Sequence, residues 1–387
     1  MITAFRAFRF ILTLSAAFAT SASMAGPRAR DLGVPFEGTP GPLNSITDVA
    51  GVTVGHTTLI EDLANGHKVR TGVTAILPRG RADLRTPAFG AWFSLNGNGE
   101  MTGTTWLEES GLLDGPVMLT NTHSVGIVRD AVIAWRIRQG RPDKYGYWWS
   151  LPVVAETWDG HLNDINGFHV KAGHSDSALN AAAPGPVAEG NVGGGTGMIC
   201  HEFKCGIGTS SRQVSIDGRA FTVGALVQAN YGLRETLRIA GVPIGAHLRE
   251  HRAYQDQVRE SGSIIIVVAT DAPLLPHQLK RLARRAGMGL ARMGSYAGDG
   301  SGDIFIAFST ANARALSDGT IGNAEFIENG RMDPLFEATV QAAEESIVNA
   351  LVAARDMEGE GGHYAIALPH DKLVELLKTY GRLNTPK

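Results

Sequence analysis

Sulfur is scarce in this chain: its 387 residues include two cysteines, too few for a disulfide framework. Cys200 and Cys205 flank His201-Glu202-Phe203-Lys204, a stretch able to form the tip of a hairpin. The first reading is of two buried thiols. The second is a disulfide across the tip, open to a chain that works in an oxidising compartment. With His201 they make three potential ligands, but no further C-x-x-C or H-x-x-x-H cluster completes a zinc site, so no metal is expected. Long apolar runs are missing too. Beyond the first 25 residues no stretch reaches the roughly 18 to 20 apolar residues of a membrane span. Nor does either sign of charge dominate: 35 Lys and Arg against 38 Asp and Glu leave a formal −3. That balance offers no electrostatic footprint for nucleic acid or an anionic membrane.

Familiar catalytic motifs are absent as well. There is no H-E-x-x-H, and around Ser301 the residue two before is Asp299, so the G-x-S-x-G nucleophile elbow is missing. The cluster Gly193-Gly194-Gly195-Thr196-Gly197 lacks the Lys-Ser or Lys-Thr of a phosphate loop, and Met198 breaks G-x-G-x-x-G. A structural nest or a pocket wall is the better reading of it. No repeat of fixed period is present.

What the chain does have begins with an export signal. Arg6 and Arg9 precede an apolar stretch from Phe10 to about Phe18, and Ser23-Met24-Ala25 resembles a cleavage site. Residues 1–25 are therefore expected to be removed, and the mature protein to be periplasmic or secreted. Residues 26–387 suffice for one large domain or two ordinary ones. Glycine is abundant, 48 residues or about 12% against a usual 7% or so, clustered where tight connections and close backbone approaches are needed.

After a polar, proline-bearing leader to about Asn44, strand character is expected over 46–58, 73–77, 151–158 and 221–228. Val128, Ala131, Val132 and Trp135 recur at helical spacing, predicting a helix over 124–139. Later helices are expected from Pro276, with Leu279, Leu282, Ala283 and Ala286 as its buried stripe, from Asp333-Pro334, and over 373–380; a short strand is expected over 364–368. The sharpest change falls at Gly262-Ser263. Residues 247–262 are charged, with Leu248, Tyr254 and Val258 as the only sizeable apolar side chains, and read as an exposed helix or linker. Ser263-Ile-Ile-Ile-Val-Val-Ala-Thr270 follows at once, a β-branched run typical of a fully buried strand. Gly300-Ser301-Gly302-Asp303 leads into a second such strand, 304–308.

Six ordered stretches carry a family resemblance. They are Asn96-Gly-Asn-Gly-Glu-Met-Thr-Gly103, Asn191-Val-Gly-Gly-Gly-Thr-Gly197, Gly206-Ile-Gly-Thr-Ser-Ser-Arg212, Ala229-Asn-Tyr-Gly232, Ser263 to Leu274, and Gly300-Ser-Gly-Asp-Ile304. Over roughly residues 45–380 the chain resembles the self-processing serine aminopeptidases, which include the L-aminopeptidase/D-esterases and the β-peptidyl aminopeptidases. The resemblance implies an α+β fold, a four-layer αββα sandwich of N-terminal-nucleophile type. It also implies one precursor cut into an α chain (26–262) and a β chain (263–387) that assemble further into a homo-oligomer. Ser263 would be the nucleophile, with Ser301 and Asp303 as its partners and Asn230 as an oxyanion donor. Trp158 stands where a tyrosine that helps bind the oxyanion is expected; indole offers one N–H and no hydroxyl.

Elementary chemistry supports such a scheme. An amide nitrogen is no base, whereas a freed α-amine titrates at about 7.7–8.0, near working pH. A cut before Ser263 puts base and hydroxyl on one residue, and glycine at 262 leaves its carbonyl open to attack. Ser301 and Asp303, two apart in an extended segment, share a face, so Asp303 can hold Ser301 and Ser301 can orient the nucleophile. An Asx or Ser turn is the structural alternative for the same four residues. Glu156 is the candidate for holding the substrate ammonium, and Asn96, with Asn98 and Glu100, lies in a loop that could line the pocket.

The expected activity is hydrolysis of N-terminal residues, β-amino acids first, from short peptides, amides or esters through an acyl-enzyme, with no cofactor. D- or small L-residue substrates are the alternative, and a secreted non-catalytic binding protein on the same scaffold is the rival of another class.

Overall fold

The computed structural model describes residues 26–139, 148–254, 259–315 and 321–384. The expected signal peptide thus lies outside the described residues. Two sheets face each other. The smaller runs β1 (Thr53–Asp62), β2 (Lys68–Leu77), β5 (Val117–Asn121), β6 (Val153–Thr157). The larger runs β4 (Leu112–Leu113), β3 (Ala88–Gly97), β12 (Gly300–Ser309), β11 (Ser261–Thr270), β10 (Arg219–Tyr231), β9 (Ile207–Ile216). Helices α2 (Val125–Gln139) and α3 (Ala172–Ala181) cover the outside of the first sheet, and α5 (Pro276–Arg292) and α6 (Asp333–Val352) the outside of the second. This is the expected four-layer αββα sandwich. Short elements lie at its margins: α1 (Thr104–Ser110), α4 (Ile244–His247), α7 (His370–Thr379), and the strand pairs β7 (Ile199–Cys200) with β8 (Phe203–Lys204) and β13 (Met357–Glu358) with β14 (Tyr364–Ala365).

The β-branched run in β11 explains why it is central. Ile264, Ile266 and Val268 pack toward α5 and α6, while Ile265, Val267 and Ala269 fill the space between the sheets with Leu119 and Ala155. Full burial of each large side chain stabilises the fold by roughly 1.5–3 kcal/mol. A strand so apolar on both faces has no stable place at a sheet edge.

The polar leader is docked, not free. Arg30 forks onto the buried Glu345 of α6 at 2.7 and 2.8 Å, and Arg28 reaches Glu189 at 2.8 Å. Residues 46–48 form one 3-10 turn capped by Ser45 and Asp48, and the strand begins only at Thr53, after Gly51 at φ 91° turns the chain. Of the expected 364–368 strand, Tyr364 and Ala365 form a strand pair with β13, and the Ile366 carbonyl accepts the Lys204 amide at 2.6 Å. Cys200 and Cys205 form a disulfide, which overturns the reading of two thiols. Positive φ at His201 and Glu202 tightens the β7–β8 tip and brings the two Cα atoms to 5.4 Å, within bridging range.

Candidate active site

Strand register assembles the site. In the antiparallel β10–β11 pair Asn230 lies opposite Ser263 and Tyr231 opposite Gly262. In the parallel β11–β12 pair Gly262 lies beside Ser301, Ser263 beside Gly302 and Ile264 beside Asp303. Residues far apart in sequence thus meet at one end of three central strands. Side-chain alternation sorts them by face. Ser263 is in phase with Ile265 and Val267, and Asn230 with Gln228, so both belong to the inter-sheet side. Ser301 and Asp303 are in phase with Phe305 and Ala307 on the helix-covered side. The Ser301–Asp303 pair and the Ser263 side chain therefore belong to opposite faces of two neighbouring strands.

Ser263, Ser301 and Asp303 are all buried. Ser301 Oγ donates to Asp303 Oδ1 at 2.8 Å, and Asp303 Oδ2 has no partner among the described residues. Burial pushes the Asp303 carboxyl up to about 6; the Ser301 bond pulls it down, and the nearby Glu260 charge pushes it further up. The Tyr231 hydroxyl is likewise buried without a partner, and burial, with the charges of Glu260 and Asp303, holds it well above the ordinary phenol range.

Gly262 sits at φ 113°, and a Cβ there would come within 2.1 Å of the Asn230 carbonyl oxygen. Only glycine fits. Asn230 Oδ1 accepts the Ile199 amide at 2.8 Å, which leaves Nδ2, a donor, as the free end of the side chain. Ile199 opens the disulfide-closed β7–β8 hairpin.

A cavity of about 230 Å³ adjoins these groups, lined by Trp158, Ile199, Asn230, Tyr231, Tyr254 and Gly262 among others. Trp158 is 43% exposed and lies over Gly160 at the mouth. Larger cavities, of about 510, 680 and 500 Å³, lie beside α7, beside Arg28 and beside Asp271, and carry none of this chemistry.

Glu156, in β6, is buried; it accepts the Glu100 amide at 3.0 Å and the Thr122 hydroxyl. Burial raises its carboxyl above the ordinary range against the pull of those two bonds. A methyl group placed on Gly99 would meet Glu156 Oε1 at 3.3 Å and Gly302 Cα at 3.4 Å, so this carboxylate stands next to the strand bearing Ser301. Asn96 is spent otherwise. Its Nδ2 donates to the carbonyls of Gly298 and Asp299 at 2.6 and 3.3 Å, and Asn98 donates to that of Gly300 at 2.8 Å. This loop braces the approach to Ser301 and does not line the 230 Å³ cavity. Sequence reasoning missed Glu260 and Tyr254, which lie in the stretch read as a solvated linker.

A buried serine at the start of a central strand of an αββα sandwich defines the N-terminal-nucleophile class of hydrolase fold. Solved structures agree. The L-aminopeptidase D-Ala-esterase/amidase from Ochrobactrum anthropi, described as a prototype of the serine aminopeptidases and a variant of that fold, superposes with a TM-score of 0.88 at 49% identity, covering 92% of this chain and 99% of that one. A Burkholderia sp. β-aminopeptidase superposes at 0.84, also with 49% identity, 92% and 99% being covered. The β-peptidyl aminopeptidase BapA of Sphingosinicella microcystinivorans is 54% identical over 95% of this chain and 96% of its own length. Residues 44–365 match peptidase family S58, and the chain belongs to that family.

Proposed function

We propose that this chain is the precursor of a β-peptidyl aminopeptidase that cuts itself at Gly262–Ser263. The observation that carries the reading is the register of Asn230, Gly262, Ser263 and Ser301 across three adjacent strands. In self-cleavage Ser263 Oγ attacks the Gly262 carbonyl carbon, and its proton ends on the Ser263 nitrogen as the C–N bond breaks. Water then hydrolyses the ester, leaving a Gly262 carboxylate and a free amine on Ser263. In turnover that amine takes the hydroxyl proton while Oγ attacks the substrate acyl carbon. Asn230 Nδ2 donates to the developing oxyanion. The protonated amine then protonates the leaving group, and a second cycle with water frees the acyl residue. Asp303 holds the Ser301 hydroxyl so that its oxygen accepts from the amine and fixes its direction.

Glu156 receives the substrate's ammonium, which makes the enzyme an exopeptidase. In a β-residue that ammonium is one carbon further from the acyl carbon, and the 54% identity to a β-peptidyl aminopeptidase favours such substrates. The second reading, D- or small L-residue amides and esters, draws on the Ochrobactrum anthropi relative. Export to the periplasm or beyond belongs to the proposal and is supported by the Cys200–Cys205 disulfide. So does assembly of two-chain units into a homo-oligomer, supported by the partly exposed Trp106–Trp149 pair.

Ser263→Ala is expected to remain one chain with no hydrolytic activity; cleavage of that variant at the same bond would overturn the mechanism. The wild-type enzyme is expected to show at least tenfold higher kcat/KM on a β-alanyl amide than on L- or D-alanyl amides. The reverse ratio would select the second reading.

A further inference from the structure

Two residues before the scissile glycine, Glu260 is 2% exposed although it lies in a charged stretch. Its Oε1 accepts the Ser295 hydroxyl and its Oε2 the Tyr296 amide at 3.0 Å, while its own N–H donates to Tyr296 Oη at 3.1 Å. A Cβ on Gly298 would come within 2.6 Å of the Glu260 carbonyl oxygen, so the two backbones are in close contact. The segment that seats Glu260 runs directly into the catalytic pair: the Ser301 amide donates to the Gly298 carbonyl at 2.8 Å.

We infer that Glu260 is a positioning residue for self-processing, a buried anchor that locks Gly262 in register with Ser301 in the precursor and has no part in later turnover. The inference rests on the reading of Gly262–Ser263 as the scissile bond. Charge-assisted bonds from a carboxylate to a hydroxyl and an amide are strong and directional when buried, and a slip of β11 by one residue would turn Ser263 to the wrong face. The anchor also has to let go. In the precursor the Gly262 carbonyl occupies the position that a substrate acyl group takes later, so residues 260–262 are the first product and block the site until they leave. Glu260 adds negative charge beside Asp303 before the cut. The new Gly262 carboxylate adds another, and repulsion among the three favours departure.

The experiment follows precursor conversion by denaturing gel and mass spectrometry, then measures kcat and KM on fully cut material. Glu260→Ala is expected to slow conversion at least tenfold, while the cut enzyme keeps kcat within twofold of wild type. Glu260→Gln, which retains one acceptor oxygen, restores part of the conversion rate, and Ser295→Ala slows conversion to a lesser extent. Conversion of Glu260→Ala at the wild-type rate would overturn the inference. So would a parallel fall of conversion and kcat, the mark of a general folding role. Should Glu260→Ala not fold, Glu260→Gln and Ser295→Ala carry the same comparison. In either failure Ser263→Ala would still be uncut, which separates loss of this inference from loss of the mechanism it rests on.

Discussion

At the scale of single residues, the proposed chemistry turns on Gly262 and Asp303. An alanine at 262 would need a left-handed backbone and would meet the Asn230 carbonyl oxygen at 2.1 Å. Gly262→Ala is therefore expected to slow self-cleavage at least tenfold, read as the ratio of uncut to cut chain over time. Asp303 is a buried carboxyl titrating near 6, against 3.8 for the free group. Its folded pKa is raised, so the stability it contributes is full below pH 3.8 and is lost as pH rises through about 6. Asp303→Asn should hence be more stable than wild type at pH 8, by up to about 3 kcal/mol, and the advantage should vanish by pH 4. Thermal melts of the uncut Ser263→Ala background at the two pH values check it. Self-cleavage of the wild-type precursor should slow as pH falls through 6, because a protonated Asp303 accepts poorly from Ser301; a rate flat from pH 5 to 8 would deny Asp303 that part. Ser263, Ser301, Asp303 and Asn230 were legible as candidates because their neighbours resemble a family. Glu260 was not: its partners Ser295 and Tyr296 are 35 and 36 residues away, and its charged neighbours pointed to solvent.

At the scale of elements, legibility followed the apolar pattern. The runs 263–270 and 304–308 announced buried strands, and α2 and α5 their apolar stripes. β9 was missed because its inward residues are polar: Thr209, Ser210, Ser211 and Arg212 are all buried. Long-range partners explain them, such as Arg212 against Glu345 at 2.7 Å and Ser210 Oγ donating to the Ala342 carbonyl. β3 was missed because its end was read only as a turn-rich loop, while its pairing partner β12 lies about 200 residues on. The β7–β8 hairpin carries a prediction of its own. Its disulfide closes a short loop, worth about 2 kcal/mol in chain entropy, and its first residue orients Asn230. Cys200→Ser with Cys205→Ser should lower Tm by several degrees and lower kcat more than it raises KM, because the oxyanion donor loses its brace. Unchanged kcat would mean that Asn230 is held without the hairpin.

At the scale of the whole molecule, the proposed cut falls inside one sheet. β12 and all of β11 after Gly262 would come from the new β chain, while β10 on one side and β3 on the other would belong to the α chain. Two strands of one product are thus hydrogen-bonded between strands of the other, and the inter-sheet core joins them further. The two chains should co-elute on native size exclusion and separate only in denaturant. Sequence could place the boundary at 262–263, where a polar stretch meets an apolar one, but not this interleaving, which depends on strand order.

The most direct test is the N-terminus of the smaller fragment in purified, active enzyme, by Edman degradation or intact mass. It should begin Ser-Ile-Ile-Ile with an unblocked amine at Ser263. Active enzyme in which Ser263 is still joined to Gly262, or a fragment beginning at another residue, would leave the reaction without its base and contradict the mechanism.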